Sequence, residues 1–426
     1  MHELFDADVV GTDRHLALLD ALRARGDVVE LAGGQRRTFI ALSRAAVAAG
    51  AAHPFLSSRF GSGTADAPEA RDPTAADDAH GGVPFDAVNM SDGAAHRRLR
   101  ACFAALDACA RRDAAPDAYA PPPLRPGAAQ HRPGTAPPKP HAAFGLETRD
   151  VVAWAGDRQR AWVAPALGFA PDDAALVEGA RLARQAAFAW HDEADPPRAL
   201  TDVDARLVAL ARAAALTRTP RAALPMSAQV GADATPAVVD AARALDADTA
   251  AWLVRFAFIT AFATTELATA HLLALLADDA LIDRVRTDRA SRAGLVAESL
   301  RHQAPVARFG RVAVDDVELG TALVPRGARV ILSYAAACHD PALYANPRMV
   351  DVDRTARGEP ASLAFGAGPH ACAGAQLAHA ILRNTLDEAL EALADRRVVV
   401  EERVVLRSPV NRGLRRCVLA FPRARP

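Results

Sequence analysis

The chain has 426 residues, 51% of them apolar, and a formal net charge of -1. That is enough to bury a large core, and it excludes a protein that binds polyanions through bulk charge. Lys139 is the only lysine, so the arginine-rich surface reflects a compositional bias rather than partner sites.

The cysteines, Cys102, Cys109, Cys338, Cys372 and Cys417, are odd in number and scattered. They argue against a disulfide framework and for a reducing, cytoplasmic setting. Residues Met1 to Val10 are acidic and lack the basic and apolar regions of a signal peptide. In chain order, the pattern predicts a helix over 13–26, short strands over 28–31 and 37–40, and a helix over 41–49. Residues 57–89, rich in Gly, Pro, Ala and Asp, read as a long loop, and a helix follows over 96–112. Residues 113–147 hold nine prolines, which remove backbone donors and fix φ, so this stretch reads as a flexible insertion. Helical periodicity dominates 151–301. The apolar stretch 251–277, interrupted by Arg255, Glu266 and His271, reads as a buried helix rather than a membrane span. Strands are expected over 311–314 and 328–332, then a glycine-rich loop, a helix over 373–394 and a strand-rich tail. The expected class is mainly α with small β-sheets.

Chemistry concentrates in Phe365-Gly-Ala-Gly-Pro-His-Ala-Cys-Ala-Gly-Ala-Gln-Leu-Ala378. Gly366 and Gly368 allow unusual φ values and close approach to a flat ligand. Cys372 falls at a helix start, where unpaired N–H groups and the dipole favour a thiolate. A structural cysteine after a turn explains Gly-x-Gly alone, but not the whole string. A zinc site is disfavoured because His370 and Cys372 lack a second Cys/His pair. Upstream, Glu298 and Arg301 stand at i and i+3, one helical face, where carboxylate and guanidinium can meet. Taken alone, this pair is no more than a solvated helix face.

The fourteen-residue string resembles the haem-binding signature of the cytochrome P450 family, Phe-Gly-x-Gly-x-His-x-Cys-x-Gly, at every fixed position. Glu298-Ser-Leu-Arg301, 74 residues before Cys372 and followed by Pro305, resembles the family's structural Glu-x-x-Arg element. The resemblance implies one domain of triangular-prism shape, with haem b (iron protoporphyrin IX) between the long central helix and the Cys372 loop. Cys372 is then the axial ligand, with Phe365, Glu298 and Arg301 in support. In relatives a third, usually arginine, residue completes the Glu-x-x-Arg network, and the alignment of 346–351 puts Met349 there. Asp92-Gly-Ala-Ala-His96 and Arg100 resemble the family's Asp-x-x-x-His-x-x-x-Arg segment. With Arg311 and His370, they supply His96, Arg100, Arg311 and His370 as the set for the haem propionates.

The resemblance further implies monooxygenase chemistry on a small organic molecule, in secondary metabolism. Electrons come from a ferredoxin and its reductase, and the protein is a monomer with neither nucleic-acid nor membrane partner. The chain departs from the family in its central helix. The acid-alcohol pair that delivers protons there is expected within Thr260-Ala-Phe-Ala-Thr-Thr-Glu266. One frame gives Thr264 as the alcohol and Ala263 in the acid position; the spacing to Glu298 and the Leu272-Leu-Ala-Leu-Leu276 run favour the other, with Ala263 as the alcohol and Phe262 in the acid position. Glu266 belongs to a different face in both. Two alternatives therefore stand: an atypical enzyme using peroxide or performing coupling, cyclisation or dehydration, and a catalytically silent haem protein that recruits a partner.

Overall fold

The computed structural model describes residues 2–32, 36–58, 97, 100, 148–166, 172–217 and 247–423. The expected loop at 57–89 beyond Ser58, most of the helix at 96–112, the 113–147 insertion and His96 lie outside these residues. The helices are α1 (Asp13–Arg23), α2 (Arg44–Ala52), α3 (Val151–Ala166), α4 (Ala174–Asp192), α5 (Pro196–Thr217), α6 (Ala247–Leu275), α7 (Asp279–Thr287), α8 (Arg289–His302), α9 (Tyr334–Ala337) and α10 (Ala375–Leu393). Strands β1 (Val28–Leu31), β2 (Thr38–Ala41), β8 (Arg329–Ser333), β5 (Arg308–Ala313) and β3 (Leu56–Ser57) form one sheet in that order. Only β2 and β8 run parallel in it. A second sheet orders β4 (Arg149–Asp150), β10 (Leu414–Ala420) and β9 (Val399–Val405), and β6 (Val317–Leu319) and β7 (Ala322–Val324) form a hairpin. The mainly α class with small sheets is as the pattern implies.

Local chemistry sets several boundaries. Thr12 caps α1 by accepting from the His15 N–H, and Gly26, at φ +150°, lies beyond its end. α2 starts at Arg44, later than periodicity suggests, because Ser43 accepts from the Ala46 N–H at 3.1 Å.

The axis of the fold is α6, 29 residues and therefore about 43 Å long. Its segment Arg255–Leu275 is apolar and long enough to cross a membrane, yet two thirds of that window is buried within the fold. Phe258 and Phe262 pack with Leu176, Leu182, Val203 and Leu207 of α4 and α5. Gly179 makes this approach possible, since a Cβ there would stand 2.5 Å from the Phe258 ring. Farther along, Leu267, Leu272 and Leu273 meet Leu295 and Leu300 of α8 and Leu382 and Leu386 of α10. The buried ion pair Arg255–Asp204 and the half-buried pair Arg184–Glu266 tie α6 to α5 and α4.

At the join of α6 and α8, His271 and His302 stack with centroids 5.3 Å apart, and a ring nitrogen of each meets at 3.2 Å. His339 lies 6.0 Å from His302. His15 of α1 completes a group of four imidazoles whose pKa values are all lowered. Burial is the main cause, and the charge of Arg412 adds to it. His15 falls to about 3, His302 to about 4 and His339 to about 2, while His271 lies well below 6.5.

The unfolded chain therefore takes up these protons first as pH drops below about 6.5, and the folded state loses stability in that window. Each histidine contributes a slope of up to about 1.4 kcal/mol per pH unit. The urea midpoint should fall steeply from pH 6.5 to 4, and His271→Leu should flatten the slope. A midpoint unchanged between pH 7 and 5 contradicts this reading of the four histidines.

Candidate active site

The loop before α10 is closed at its base. The Cys372 N–H donates to the Phe365 carbonyl at 2.8 Å, Gly366 N–H to Leu363 at 2.9 Å, and Ala371 N–H to Gly368 at 3.0 Å. Gly366 and Gly368 hold φ of +73° and +66°, left-handed values that a side chain resists. A Cβ at Gly368 would also stand 2.8 Å from the Ala51 carbonyl, so this glycine lets the loop sit directly on the end of α2. Phe365 anchors the loop against the core and meets the His379 ring at 5.1 Å.

Cys372 is the exposed thiol at the end of this loop, whereas Cys338 and Cys417 are buried. Its surroundings crowd it enough that burial raises its pKa above the ordinary thiol value. The Gly374 N–H and the charge of Arg100 oppose that rise without reversing it. The Gly374 N–H thus acts in the direction expected of the helix start, and burial acts against it. A thiolate here needs a bound cation, and metal binding then releases the proton.

Of the other signature-linked residues, Arg100 is half-buried within electrostatic reach of Cys372. Arg311 is buried on β5, donates to the Gly310 carbonyl at 2.8 Å and acts on Tyr334, whose hydroxyl lies against Gly366. His370 is half-buried in the 3-10 turn Gly368–His370. Of the four residues expected around the carboxylates of a flat ligand, His370 lies in the loop, Arg311 on β5, and Arg100 within electrostatic reach of Cys372.

Glu298 and Arg301 are not a solvated face. Both are buried, with Arg301 Nε at 2.6 Å and Nη2 at 2.9 Å from the two carboxylate oxygens. The third member is Arg354, whose Nε donates to Glu298 Oε2 at 3.1 Å. Met349 is corrected out of the role: its side chain is 64% exposed, and only its carbonyl takes part, accepting from both arginines. Arg301 also donates to the Cys338 and Pro347 carbonyls, and Arg354 to those of Ala345 and Asn346. The Asp351 N–H donates to Glu298, and the Tyr344 ring lies under both guanidinium groups. Arg354 was present in sequence, five residues past the position chosen for it. Nothing short of the path of 346–359 tells which arginine turns inward.

The half-buried residues of α6 include Phe256, Ile259, Thr260 and Thr264, spaced along one face. Thr264 Oγ1 donates to the Thr260 carbonyl at 2.6 Å and Thr260 Oγ1 to that of Phe256 at 2.8 Å. Ala263 and Phe262 are buried in helix packing, whereas Thr264 is half-buried. Glu266 points elsewhere, as its helical phase implies. It is ion-paired with Arg184 at 3.2 Å, and burial pushes its pKa up to about 8.

Among the described residues no group of three His, Cys, Asp or Glu side chains could cage a metal ion. Among the described residues Cys372 is the accessible cysteine, and with Arg100 in reach it fits a metal that brings its own planar donor set, as haem does.

The cytochrome P450 family model matches residues 293–393. Steroid C26-monooxygenase of Mycobacterium tuberculosis is 35% identical over 130 residues, which are 30% of this chain and 34% of that protein. Beta-dihydromenaquinone-9 omega-hydroxylase of Mycobacterium bovis is 38% identical over 136 residues, 31% and 26% of the two chains. The sequence likeness thus spans about a third of these relatives or less. The fold likeness spans almost everything. The crystal structure of CalO2 gives a TM-score of 0.70 at 22% identity over 98% of both chains. That of CYP108D1 from Novosphingobium aromaticivorans gives 0.68 at 23% identity, over 99% of this chain and 98% of the other. Over residues 293–393 the sequence resembles the cytochrome P450 family, and along its length the chain shares the fold of these solved structures.

Glu298→Gln tests the network. It leaves two buried guanidinium groups facing a neutral amide, and breaking a buried pair costs about 3–5 kcal/mol. The denaturant midpoint should drop accordingly, with haem retention falling alongside it. A loss below about 1 kcal/mol, the level of an exposed pair, would place the three side chains outside the load path to the loop.

Proposed function

We propose that the chain is a haem-thiolate monooxygenase, one domain with 113–147 as an insertion, that oxidises a C–H bond of an apolar small molecule. The observation that carries this reading is the accessible Cys372 thiol at the end of a tethered, glycine-bearing loop. When bound, haem b supplies dioxygen activation, with one oxygen atom entering the substrate and the other leaving as water at the expense of two electrons and two protons.

Cys372 holds the iron as thiolate, and the Gly374 N–H donates to its sulfur and steadies that charge. His96, Arg100, Arg311 and His370 hold the propionates, a task that suits the fixed fork of arginine. Thr264 positions a proton at its hydroxyl, which lies on the half-buried stripe of α6. Phe256 and Ile259 on that stripe suit an apolar substrate. The names of relatives support the same class: steroid C26-monooxygenase, beta-dihydromenaquinone-9 omega-hydroxylase and linalool 8-monooxygenase. Electrons come from a ferredoxin and its reductase, and the protein works as a cytoplasmic monomer. A role in secondary metabolism is favoured by the likeness to OxyD, involved in biosynthesis of vancomycin-type antibiotics.

A second reading has one observation behind it. With Ala263 in the acid position and Glu266 turned to Arg184, no described carboxylate of α6 stands beside Thr264, which favours peroxide as oxidant. Oxygen labelling separates the two readings. Steroids and monoterpenes that shift the haem spin state are turned over with NADH, ferredoxin and reductase under labelled dioxygen, and separately with labelled peroxide under argon. Label from dioxygen in the product is the expected result, with Thr264→Ala lowering product yield on the order of 10²-fold. Product only with peroxide replaces the first reading by the second.

A further inference from the structure

The last residue of α8 makes two contacts that neither the haem site nor the Glu298 network uses. His302 Nε2 lies 3.2 Å from the Arg348 carbonyl, and His302 Nδ1 lies 3.2 Å from Nε2 of His271 on α6. The Arg348 carbonyl stands between those of Pro347 and Met349, which accept from Arg301 at 2.7 Å and 2.9 Å. Arg301 and His302 thus hold three consecutive carbonyls, and His271 ties that grip to the central helix.

The acceptor at one end fixes the hydrogens along this chain. A carbonyl only accepts, so His302 carries its hydrogen on Nε2. A neutral imidazole has one N–H, which leaves His302 Nδ1 bare, and His271 Nε2 donates to it. A proton added to His302 would set N–H against N–H at the 3.2 Å contact. The groups that face the pair offer an imidazolium no counter-charge. From α8 come Arg301 and Glu298, whose carboxylate is already shared by Arg301 and Arg354. Arg403 of β9 and Arg412 before β10 add positive charge, and Gln303 is neutral. The His339 ring, 6.0 Å from His302, is held through Nδ1 by the Ala335 carbonyl at 2.9 Å. The Arg348 side chain turns away to Asp20 at 2.7 Å.

We propose that His271 and His302 form an acid-sensitive latch on residues 347–349. When the pair takes up protons it parts, the Arg348 carbonyl is released from α8, and haem is held less firmly. The last step rests on the haem-thiolate reading, through the path from this segment to the Cys372 loop. Arg301 keeps its own two carbonyls, so opening is local and precedes unfolding of the sheets.

Amide hydrogen exchange of the haem-loaded protein, corrected for the intrinsic effect of pH, reads the latch in peptides covering 348–354. In the open form each imidazole regains its ordinary pKa near 6.5, so going from pH 6 to 5 favours opening roughly 8-fold per ring and about 60-fold for both. Exchange of 348–354 should rise by that factor while β8 stays protected. His302→Gln keeps a donor for the carbonyl but does not titrate, and should leave a rise of about 8-fold. Haem transfer to excess apomyoglobin should quicken over the same range, and less so in His302→Gln. Exchange does not depend on the iron ligand, so failure of the latch is distinct from failure of the haem-thiolate reading, which would show as an unshifted carbon monoxide band. An exchange rise below about threefold in the wild type, a rise shared equally by β8, or equal quickening of haem transfer in wild type and variant overturns the proposal. If His302→Gln does not fold, exchange in the wild type decides the matter alone.

Discussion

Glu298 is one carboxylate asked to satisfy two buried guanidinium groups and a backbone N–H at once. Two fixed forks on one planar acceptor leave little freedom; Arg301 spends its remaining donors on carbonyls of residues 338–349, and Arg354 divides its own between such carbonyls and the Glu359 carboxylate at 2.8 Å. An irregular stretch with few backbone bonds of its own is thereby pinned to α8. That stretch leads into Leu363 and the loop ending at Cys372, so the place of the sulfur is inherited from ion pairs far from it in sequence. The network sits in the interior, where replacing all three members with apolar residues could preserve stability. What such a replacement would lose is the defined path of 338–359.

The loop itself is held by a different kind of constraint. Its backbone bonds close it, Gly368 packs its backbone onto α2, and Phe365 fills the core side. The surroundings desolvate the thiol more than they stabilise its anion. The protein therefore presents Cys372 in the right place but leaves the metal to take the proton off. Affinity for the cofactor should consequently depend on pH, since thiol deprotonation is part of binding.

How much was legible in the sequence follows from the range of the interactions. The Cys372 loop and the Glu298–Arg301 pair were readable because their partners lie within a few residues. α6 was readable because its apolar run is long, and Glu266 could be turned away from the stripe by helical phase alone. Which of Thr264 and Ala263 is buried depends on how α4, α5 and α10 close around α6, and the sequence does not carry that. Arg354 was missed because Met349 and Arg354 differ in the path of an irregular chain, which carries no periodicity. The burial that acts against the helix start at Cys372 was missed for a related reason: dipole and N–H contacts are local, whereas desolvation sums over everything packed nearby. The four imidazoles around Arg412 come from α1, α6, α8 and the turn after α9, and no spacing along the chain announces them.

The most direct measurement is the carbon monoxide difference spectrum of the dithionite-reduced protein, with wild type and Cys372→Ser side by side. The expected result is the red-shifted Soret band for which the family is named, present in the wild type and lost in the variant. A folded wild type that takes up no haem, gives an unshifted band, or keeps the shifted band after Cys372→Ser contradicts the assignment of Cys372 as the iron ligand.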